Sequence, residues 1–510
     1  MQPILEIQHM SMHFTQYAKG TRRRELPVIR DLSLKIEPGQ VVAVVGASGS
    51  GKSLLAHGIL HILPRNSHME GRILYDGSDL TSKRAARLRG REIVLVPQGV
   101  TYLDPLMKVG EQVRGDDAAP DAKQRARKAL ARYGLAPETE ELYPFELSGG
   151  MARRVLIATA VTQEPRLIIA DEPTPGLDIK AAGRILGHFR ELAEGGAGVL
   201  LITHDLELAL TIADQVAVFY AGQTIEVASA EDFASPATLR HPFTRALWRA
   251  MPEHGFQPIE GAQPYPGLSL CGTVRPQHTP VPGNCRSSPA PLAGGNGALP
   301  ESAEGGMIMT LQANHVTFTY RGRHGAPVLQ NIDLTIESGE RVGLKAPSGR
   351  GKTTLCRLLA GYERPQSGQV LLDGQPVYGR KGVCPVQMMW QHPETVVDPL
   401  LRLGVTLEES GPVDRRLMEA LHIEDGWLER FPAELSGGEL QRFCLARALN
   451  PATRFLLCDE ISAMLDLVTQ AQIWNFLIGE AERRNLGLLI VSHSDSLLEQ
   501  VCTRIETLPA

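Results

Sequence analysis

The sequence predicts an α/β protein of two large domains, each built on a mainly parallel β-sheet with helices on both faces. Three observations lead there. A set of short motifs occurs twice in the same order, continuous apolar runs alternate with longer helical patterns, and each copy has a Gly-rich loop between such a run and a helix. Length agrees: 510 residues exceed a single core, and at roughly 150 residues per domain they leave three small units or two large ones.

The repeat decides between these. GASGSGKS (Gly46–Ser53) returns as APSGRGKT (Ala346–Thr353), and ELSGGMARR (Glu146–Arg154) as ELSGGELQR (Glu434–Arg442). LIIADEP (Leu167–Pro173) returns as FLLCDEI (Phe455–Ile461), and LLITHD (Leu200–Asp205) as LIVSHSD (Leu489–Asp495). Order is kept while spacing drifts, as in one domain duplicated and then altered by insertions. Residues 256–306 hold nine prolines and nine glycines in 51 positions and read as an irregular linker. Such a segment spans about 40 Å as a flexible chain. The expected division is a first domain at 1–255, the linker, and a second domain at 307–510, which opens on MIMTLQANHVTFTY like a fresh N-terminus.

Within each copy the strands come first. VVAVV before the first Gly-rich loop, LIIA before Asp171 and VLLIT before His204 are apolar throughout, the mark of parallel strands covered on both faces. LLAHGIL after the loop reads as a helix.

Composition excludes several classes. Hydrophobic residues at 43% and charged residues at 21% rule out global disorder and a membrane-embedded body. Net charge is −5 with no basic concentration, so nucleic acid is not an expected partner. No apolar run approaches the roughly 18–20 residues of a membrane span. MQPILEIQHM lacks the features of a secretory signal, so the chain is expected to remain in the cytosol. The seven cysteines all lie beyond residue 270 without metal-type or disulfide-type spacing and read as reduced packing thiols.

The chemistry follows from the motifs. G-x-x-x-x-G-K-[ST] between a strand and a helix is a phosphate-binding loop: Gly46, Ala47, Ser48, Gly49, Ser50 and Gly51 turn backbone N–H groups and a helix N-terminus toward phosphates. Lys52 is then a point charge on the β- and γ-phosphates, and the Ser53 hydroxyl a ligand of Mg²⁺. Ala346, Pro347, Ser348, Gly349, Arg350, Gly351, Lys352, Thr353 and Thr354 repeat the arrangement. Asp171 and Asp459 end apolar strands, where a carboxylate faces a ligand crevice and can hold Mg²⁺ directly or through water. Glu172 and Glu460, one residue on, are placed to deprotonate an attacking water. His204 and His493 follow a further strand, within reach of a γ-phosphate.

This set resembles the nucleotide-binding domain of ABC ATPases, of which LSGG is the signature, and the resemblance covers nearly the whole chain outside the linker. It implies two P-loop NTPase domains, each adding an antiparallel β subdomain and a helical signature subdomain to the parallel core. It also implies ATP hydrolysis with Mg²⁺ and a head-to-tail pairing of the domains. Each ATP would then lie between one phosphate loop and the other half's signature, Ser148, Gly149 and Gly150 or Ser436, Gly437 and Gly438. Gln98 and Gln391 match the glutamine that touches Mg²⁺ and links the site to the membrane partner. Asp178 and Asp466 match an aspartate that contacts the opposing domain. Phe14 and Tyr320 match the aromatic that stacks on adenine, although each is equally well a strand residue.

Two departures stand out. Ala346 replaces the first loop glycine and precedes Pro347, which suggests a stiffer or displaced loop. Arg153 stands where the family has Gln. Both are expected in one composite site, pairing the second loop with the first signature. Either they are neutral or the two sites hydrolyse ATP at unequal rates.

GILHILP (Gly58–Pro64), YPFELSGGM (Tyr143–Met151) and HPFTRALWRAMP (His241–Pro252) resemble the ATPases of bacterial dipeptide, oligopeptide and nickel importers. DEISAMLDLVTQAQ (Asp459–Gln472) is similar to the partner ATPase of that group, especially its nickel branch. The resemblance implies a fused ATPase subunit for peptides, nickel or metal chelates. It would sit at the cytoplasmic face of the bacterial inner membrane, peripheral, on two permease subunits served by an extracytoplasmic binding protein. The iron–sulfur tail of some relatives is not expected, since only Cys271 and Cys285 fall there. Two rivals remain: the tandem ATPase of a sugar importer, and a soluble tandem ATPase acting on ribosomes or nucleic acid.

Overall fold

The structure is a computed structural model that describes residues 2–17, 23–46, 50–116, 119–177, 179–258, 308–320, 327–347, 349–409, 411, 414–462 and 465–508. Most of the linker, with Cys271 and Cys285, lies outside the described residues, as do Ala47, Ser48, Gly49, Asp178 and Ser348.

The first half runs β1 (Leu5–Tyr17), β2 (Arg23–Ile36), β3 (Val41–Gly46), α1 (Lys52–Ile59), β4 (Ser67–Tyr75), β5 (Ser78–Asp79), α2 (Ser82–Leu88) and β6 (Ile93–Val96). A helical block follows, α3 (Val109–Arg114), α4 (Ala122–Arg132) and α5 (Gly149–Val161). The chain then returns through β7 (Leu167–Asp171), α6 (Ile179–Glu194), β8 (Gly198–Thr203), α7 (Leu206–Leu210), β9 (Gln215–Tyr220), β10 (Gln223–Ser229) and α8 (Pro242–Arg249). The second half begins with β11 (Thr310–Phe318), β12 (Leu329–Glu337), β13 (Arg341–Lys345), α9 (Lys352–Leu359), β14 (Ser367–Leu372), β15 (Gln375–Pro376) and β16 (Val386–Met389). It continues with α10 (Leu403–Glu408), α11 (Arg415–Ala420), α12 (Gly437–Ala448), β17 (Phe455–Asp459), α13 (Leu467–Arg484), β18 (Gly487–Val491), α14 (Asp495–Val501) and β19 (Arg504–Thr507).

Each half has two sheets. The antiparallel ones have order β2-β1-β4-β5 and β12-β11-β14-β15. The central sheets have order β10-β9-β3-β8-β7-β6 and β16-β17-β18-β13-β19, parallel throughout except for the edge strand β10. Alternate residues of one strand feed opposite cores. Val41, Ala43 and Val45 pack with Val155 and Phe189 from α5 and α6, whereas Val42 and Val44 pack with Leu5 and Ile7 from β1 and Leu55 from α1. That two-sided burial is why the strands read as unbroken apolar runs.

Each half contributes residues to the core of the other. Leu467 and Val468, at the start of α13, belong to the first half's core, while Ala250 and Phe256 belong to the second's. Phe256, assigned by sequence to the linker, is 3% exposed, and its carbonyl accepts a hydrogen bond from Asn475 Nδ2 at 2.8 Å. Burial of one such side chain contributes about 1.5–3 kcal/mol.

The Gly46 position has a different cause from the expected one. Neither Gly46 nor Ala346 is among the residues with left-handed φ, so alanine at 346 meets no such strain. Gly46 is required by a close approach: it pairs with Phe219, and a Cβ would lie 2.1 Å from the Phe219 carbonyl oxygen. Backbone cannot yield as a side-chain tip can. Gly46→Ala is therefore expected to cost about 1–3 kcal/mol, the usual range for overpacking. At about 2–4 °C per kcal/mol, thermal unfolding should show a clearly lower midpoint; an unchanged midpoint would contradict the close-approach explanation.

Candidate functional site

The site residues lie at the carboxyl ends of neighbouring parallel strands. In the first half β3 leads to Lys52, β8 to His204, β7 to Asp171 and Glu172, and β6 to Gln98; these strands are adjacent in the order β3-β8-β7-β6. The second half repeats the layout with β13-β18-β17-β16 and Lys352, His493, Asp459, Glu460 and Gln391. Parallel strands with crossover helices put all these ends on one edge, where ligands bind in open α/β sheets.

Gly51 (φ 97°) and Gly351 (φ 88°) cap α1 and α9 in the left-handed conformation, which glycine adopts without a Cβ penalty. The lysine that opens each helix is buried and folds back on its loop: Lys52 Nζ donates to Gly46 O at 2.8 Å, and Lys352 Nζ to Ala346 O at 2.8 Å. Burial lowers the Lys52 pKa, opposed by Glu172, Asp466 and Asp171. Asp466 comes from the second half, so an acidic group of one half acts on the phosphate-loop lysine of the other. It is itself fixed as the N-cap of α13, accepting from Thr469 N at 3.0 Å.

Ser53 Oγ donates to Asp171 Oδ1 at 3.1 Å. Burial pushes Asp171 and Asp459 each up to about 6, with the Ser53 and Thr353 hydroxyls opposing the shift. A hydroxyl and a carboxylate side by side form a hard-oxygen pair suited to Mg²⁺, which takes one or two protein ligands and completes its shell with phosphate and water. Among the described residues no group of three or more His, Cys, Asp and Glu could cage a metal without such help. The donor set therefore fits a metal brought with a nucleotide, held by Ser53 and Asp171 or by Thr353 and Asp459.

Glu172 and Glu460 both adopt left-handed backbone, at φ 50° and 51°. For a non-glycine residue this costs of order 1–3 kcal/mol and recurs at functional positions. Each amide is held by the next strand, Glu172 N to Ile202 O at 2.8 Å and Glu460 N to Val491 O at 3.0 Å. His204 Nδ1 stands 2.8 Å from Glu172 Oε2, and His493 Nε2 2.9 Å from Glu460 Oε1. Burial raises the Glu172 pKa, but His204, Lys52 and the Thr203 hydroxyl outweigh it and hold the carboxyl below its usual value. Glu460 is likewise net lowered, burial being outweighed by His493 and Lys352. Both side chains are thus carboxylates, able to accept a proton from water.

The two sites differ around this pair. Gln391 is partly buried and its Nε2 donates to Glu460 Oε2 at 3.2 Å, whereas Gln98 is exposed. Arg153 is also placed otherwise than expected. Its guanidinium turns into its own half, where Nη1 donates to Glu172 O at 3.0 Å and Pro97 O at 3.4 Å. The Arg153 side chain is therefore engaged beside Glu172 of its own half, which the grouping of Arg153 with Ala346 by sequence did not foresee.

The signature serines cap helices. Ser148 accepts from Met151 N at 3.3 Å and Ser436 from Glu439 N at 3.4 Å, so each LSGG presents a helix N-terminus with Ser and the following Gly exposed. Phe14 lies within β1 and packs on the core, and Tyr320 follows β11, its hydroxyl 3.1 Å from Thr354 Oγ1. Sequence reasoning missed Thr203 and Ser492, directly before each histidine. Their hydroxyls accept from Asp205 N (3.0 Å) and Ser494 N (3.1 Å), and Thr203 also donates to Glu172 Oε2 at 3.3 Å. The duplicated hydroxyl was the available signal.

The ABC transporter family matches residues 29–175 and 329–463, which contain the lysine, glutamine, aspartate and glutamate of both strand-end constellations, the two histidines lying beyond the matched ranges. The chain belongs to the ABC transporter family. It is a tandem ABC ATPase, whose ATP hydrolysis is coupled to transport. The glutathione import ATP-binding protein GsiA of Pectobacterium atrosepticum is 30% identical, over 98% of this chain and 84% of its own length. The peptidoglycan transport ATP-binding protein YejF of Agrobacterium fabrum is 31% identical, over 96% and 88%. The oligopeptide transport ATP-binding protein OppD of Mycobacterium bovis is 29% identical, over 100% and 94%. Among solved structures an RNase-L inhibitor superposes with a TM-score of 0.62 at 20% identity, over 94% of this chain and 85% of that one, a likeness of fold alone.

Proposed function

We propose that this tandem ABC ATPase is the energy-supplying subunit of a bacterial peptide importer, with two ATP·Mg²⁺ held between its halves. The observation that carries the reading is the double strand-end constellation in a chain alike over its whole length to import ATPases. Of peptides, nickel and metal chelates, peptides are favoured, since the matched relatives are named for glutathione, peptidoglycan and oligopeptide transport. Passage of the substrate falls to separate permeases, in keeping with the likeness to import ATP-binding proteins; among the described residues no helix is long and apolar enough to cross a membrane. An extracytoplasmic binding protein delivers it, and the ATPase is peripheral at the cytoplasmic face of the inner membrane.

In each site the lysine and loop amides hold the phosphates, Ser53 with Asp171 or Thr353 with Asp459 hold Mg²⁺, and Glu172 or Glu460 takes the proton of the attacking water. The histidine keeps that carboxylate charged and oriented. Gln98 and Gln391 carry permease contact into the site. Just beyond them YLDPLM and VVDPLL present Leu106 at 87% and Leu400 at 83% exposure, and Phe145 and Phe431, ahead of the two signatures, are exposed as well. Apolar side chains so exposed, at the same place in both halves, suit a docking surface. Leu106→Glu with Leu400→Glu is expected to abolish co-purification with the permeases while the unfolding midpoint stays within about 2 °C; retained co-purification would remove this surface from the docking site.

The test of the whole reading is the ATPase rate of the chain reconstituted with permeases and binding protein in lipid. Short peptides should stimulate hydrolysis several-fold. Stimulation by a nickel chelate and none by peptides would overturn the peptide assignment.

A further inference from the structure

In both halves a side chain ties the glutamine loop to the glutamate after the strand-end aspartate, and the two halves do so with different residues. In the second half the tie is direct, Gln391 Nε2 to Glu460 Oε2 at 3.2 Å. There the residue at the Arg153 position is Gln441, which reaches only the Trp390 carbonyl at 3.4 Å and leaves its Oε1 without a partner. In the first half Gln98 is exposed, and Arg153 spans the same gap through main chain. One nitrogen, Nη1, donates one hydrogen to the carbonyl of Pro97, the residue before Gln98, and the other to the carbonyl of Glu172.

We propose that Arg153 is a positioning residue of the first ATP site, bridging the glutamine loop to Glu172 in place of the glutamine–carboxylate contact used by the second site. The left-handed Glu172 peptide is then held at both ends, its amide by Ile202 O and its carbonyl by Arg153. Arg153 is 8% exposed, so its charge needs compensation, which Glu172 and Asp171 supply as its electrostatic partners. A planar guanidinium donates two bonds from one fixed position, which an amide nitrogen at the end of a Gln side chain reaches less well. The consequence is functional asymmetry: movement of the first glutamine loop is transmitted to the backbone of Glu172, and movement of the second to the side chain of Glu460.

The inference rests on Glu172 as the base, so the experiment includes Glu172→Gln. Steady-state ATP hydrolysis by the full-length chain is measured with the second site silenced by Glu460→Gln, that chain serving as the wild-type reference for the first site, and with Arg153→Gln, Arg153→Lys or Glu172→Gln added to it, with unfolding midpoints for each. Arg153→Gln should lower kcat about tenfold, the scale of a misplaced reacting group, with KM for ATP within about twofold. Arg153→Lys should recover most of the loss, because an ammonium still donates to both carbonyls. Wild-type kcat in Arg153→Gln, with Glu172→Gln inactive, overturns the inference alone. So does a fall in kcat that follows a fall in unfolding midpoint and is not relieved by lysine, which marks a merely structural arginine. Wild-type turnover in Glu172→Gln overturns the base assignment and this inference with it.

Discussion

Replacing Glu172 and Glu460 together by Gln is expected to lower ATP turnover by about 10²–10⁴-fold, the usual contribution of a positioned general base. Gln keeps the shape but cannot accept the proton. Each carboxylate is held on three sides, by the left-handed backbone, by the next strand through its amide, and by a histidine within 2.9 Å. The change should therefore fall on kcat and spare ATP binding, since neither carboxylate is placed to hold phosphate. Steady-state hydrolysis checks the rate, and a nucleotide-binding titration checks the affinity. Turnover within tenfold of wild type would remove both residues from the role of base.

The second large effect is at the lysines. Lys52→Ala with Lys352→Ala should weaken ATP binding by about 10–150-fold per site, corresponding to roughly 1.5–3 kcal/mol for a hydrogen bond to a charged group. Both lysines are buried, with Nζ already fixed 2.8 Å from a loop carbonyl. Little side-chain entropy is then lost when phosphate arrives. Their removal also takes from Asp171 and Asp459 a cation that offsets the charge of the neighbouring glutamate. The negative charge so uncovered adds to the loss of affinity for a triphosphate. Titration with a fluorescent ATP analogue measures it, and affinity within twofold of wild type would contradict the placement of the lysines on phosphate.

What was legible in the sequence is what lies within a few consecutive residues. The phosphate loops, strand-end acids and histidines each occupy a strand–turn–helix stretch, so each motif is recognisable from its own few residues even though the site joins motifs far apart in the chain, as Ser53 with Asp171. The antiparallel sheets were expected from the resemblance alone, because bulges hide their strands in the residue pattern. Along β1, Leu5 and Ile7 point inward, then the phase slips at His9, φ 50°, so that Met10 and Met12 continue inward. β11 repeats this at His315, φ 51°, between Ala313 and Val316. A period-two pattern broken in this way does not announce a strand. The direction of Arg153 was illegible for another reason. Its motif lies on α5, but its partners lie directly after β7 and after β6, and only packing of the helix over the sheet brings them together. Phe256 is the same kind of case, apolar and alone in a Pro/Gly-rich context until α13 covers it.

The central claim is that one chain builds both ATP sites from its own two halves. The Glu172→Gln, Glu460→Gln chain, which should bind ATP without consuming it, allows a direct measurement: sedimentation with saturating ATP·Mg²⁺ and a count of bound nucleotide. The expected result is a single chain of 55.5 kDa carrying two ATP. A species of twice that mass forming on addition of ATP would show that the sites close between chains, and would contradict the claim.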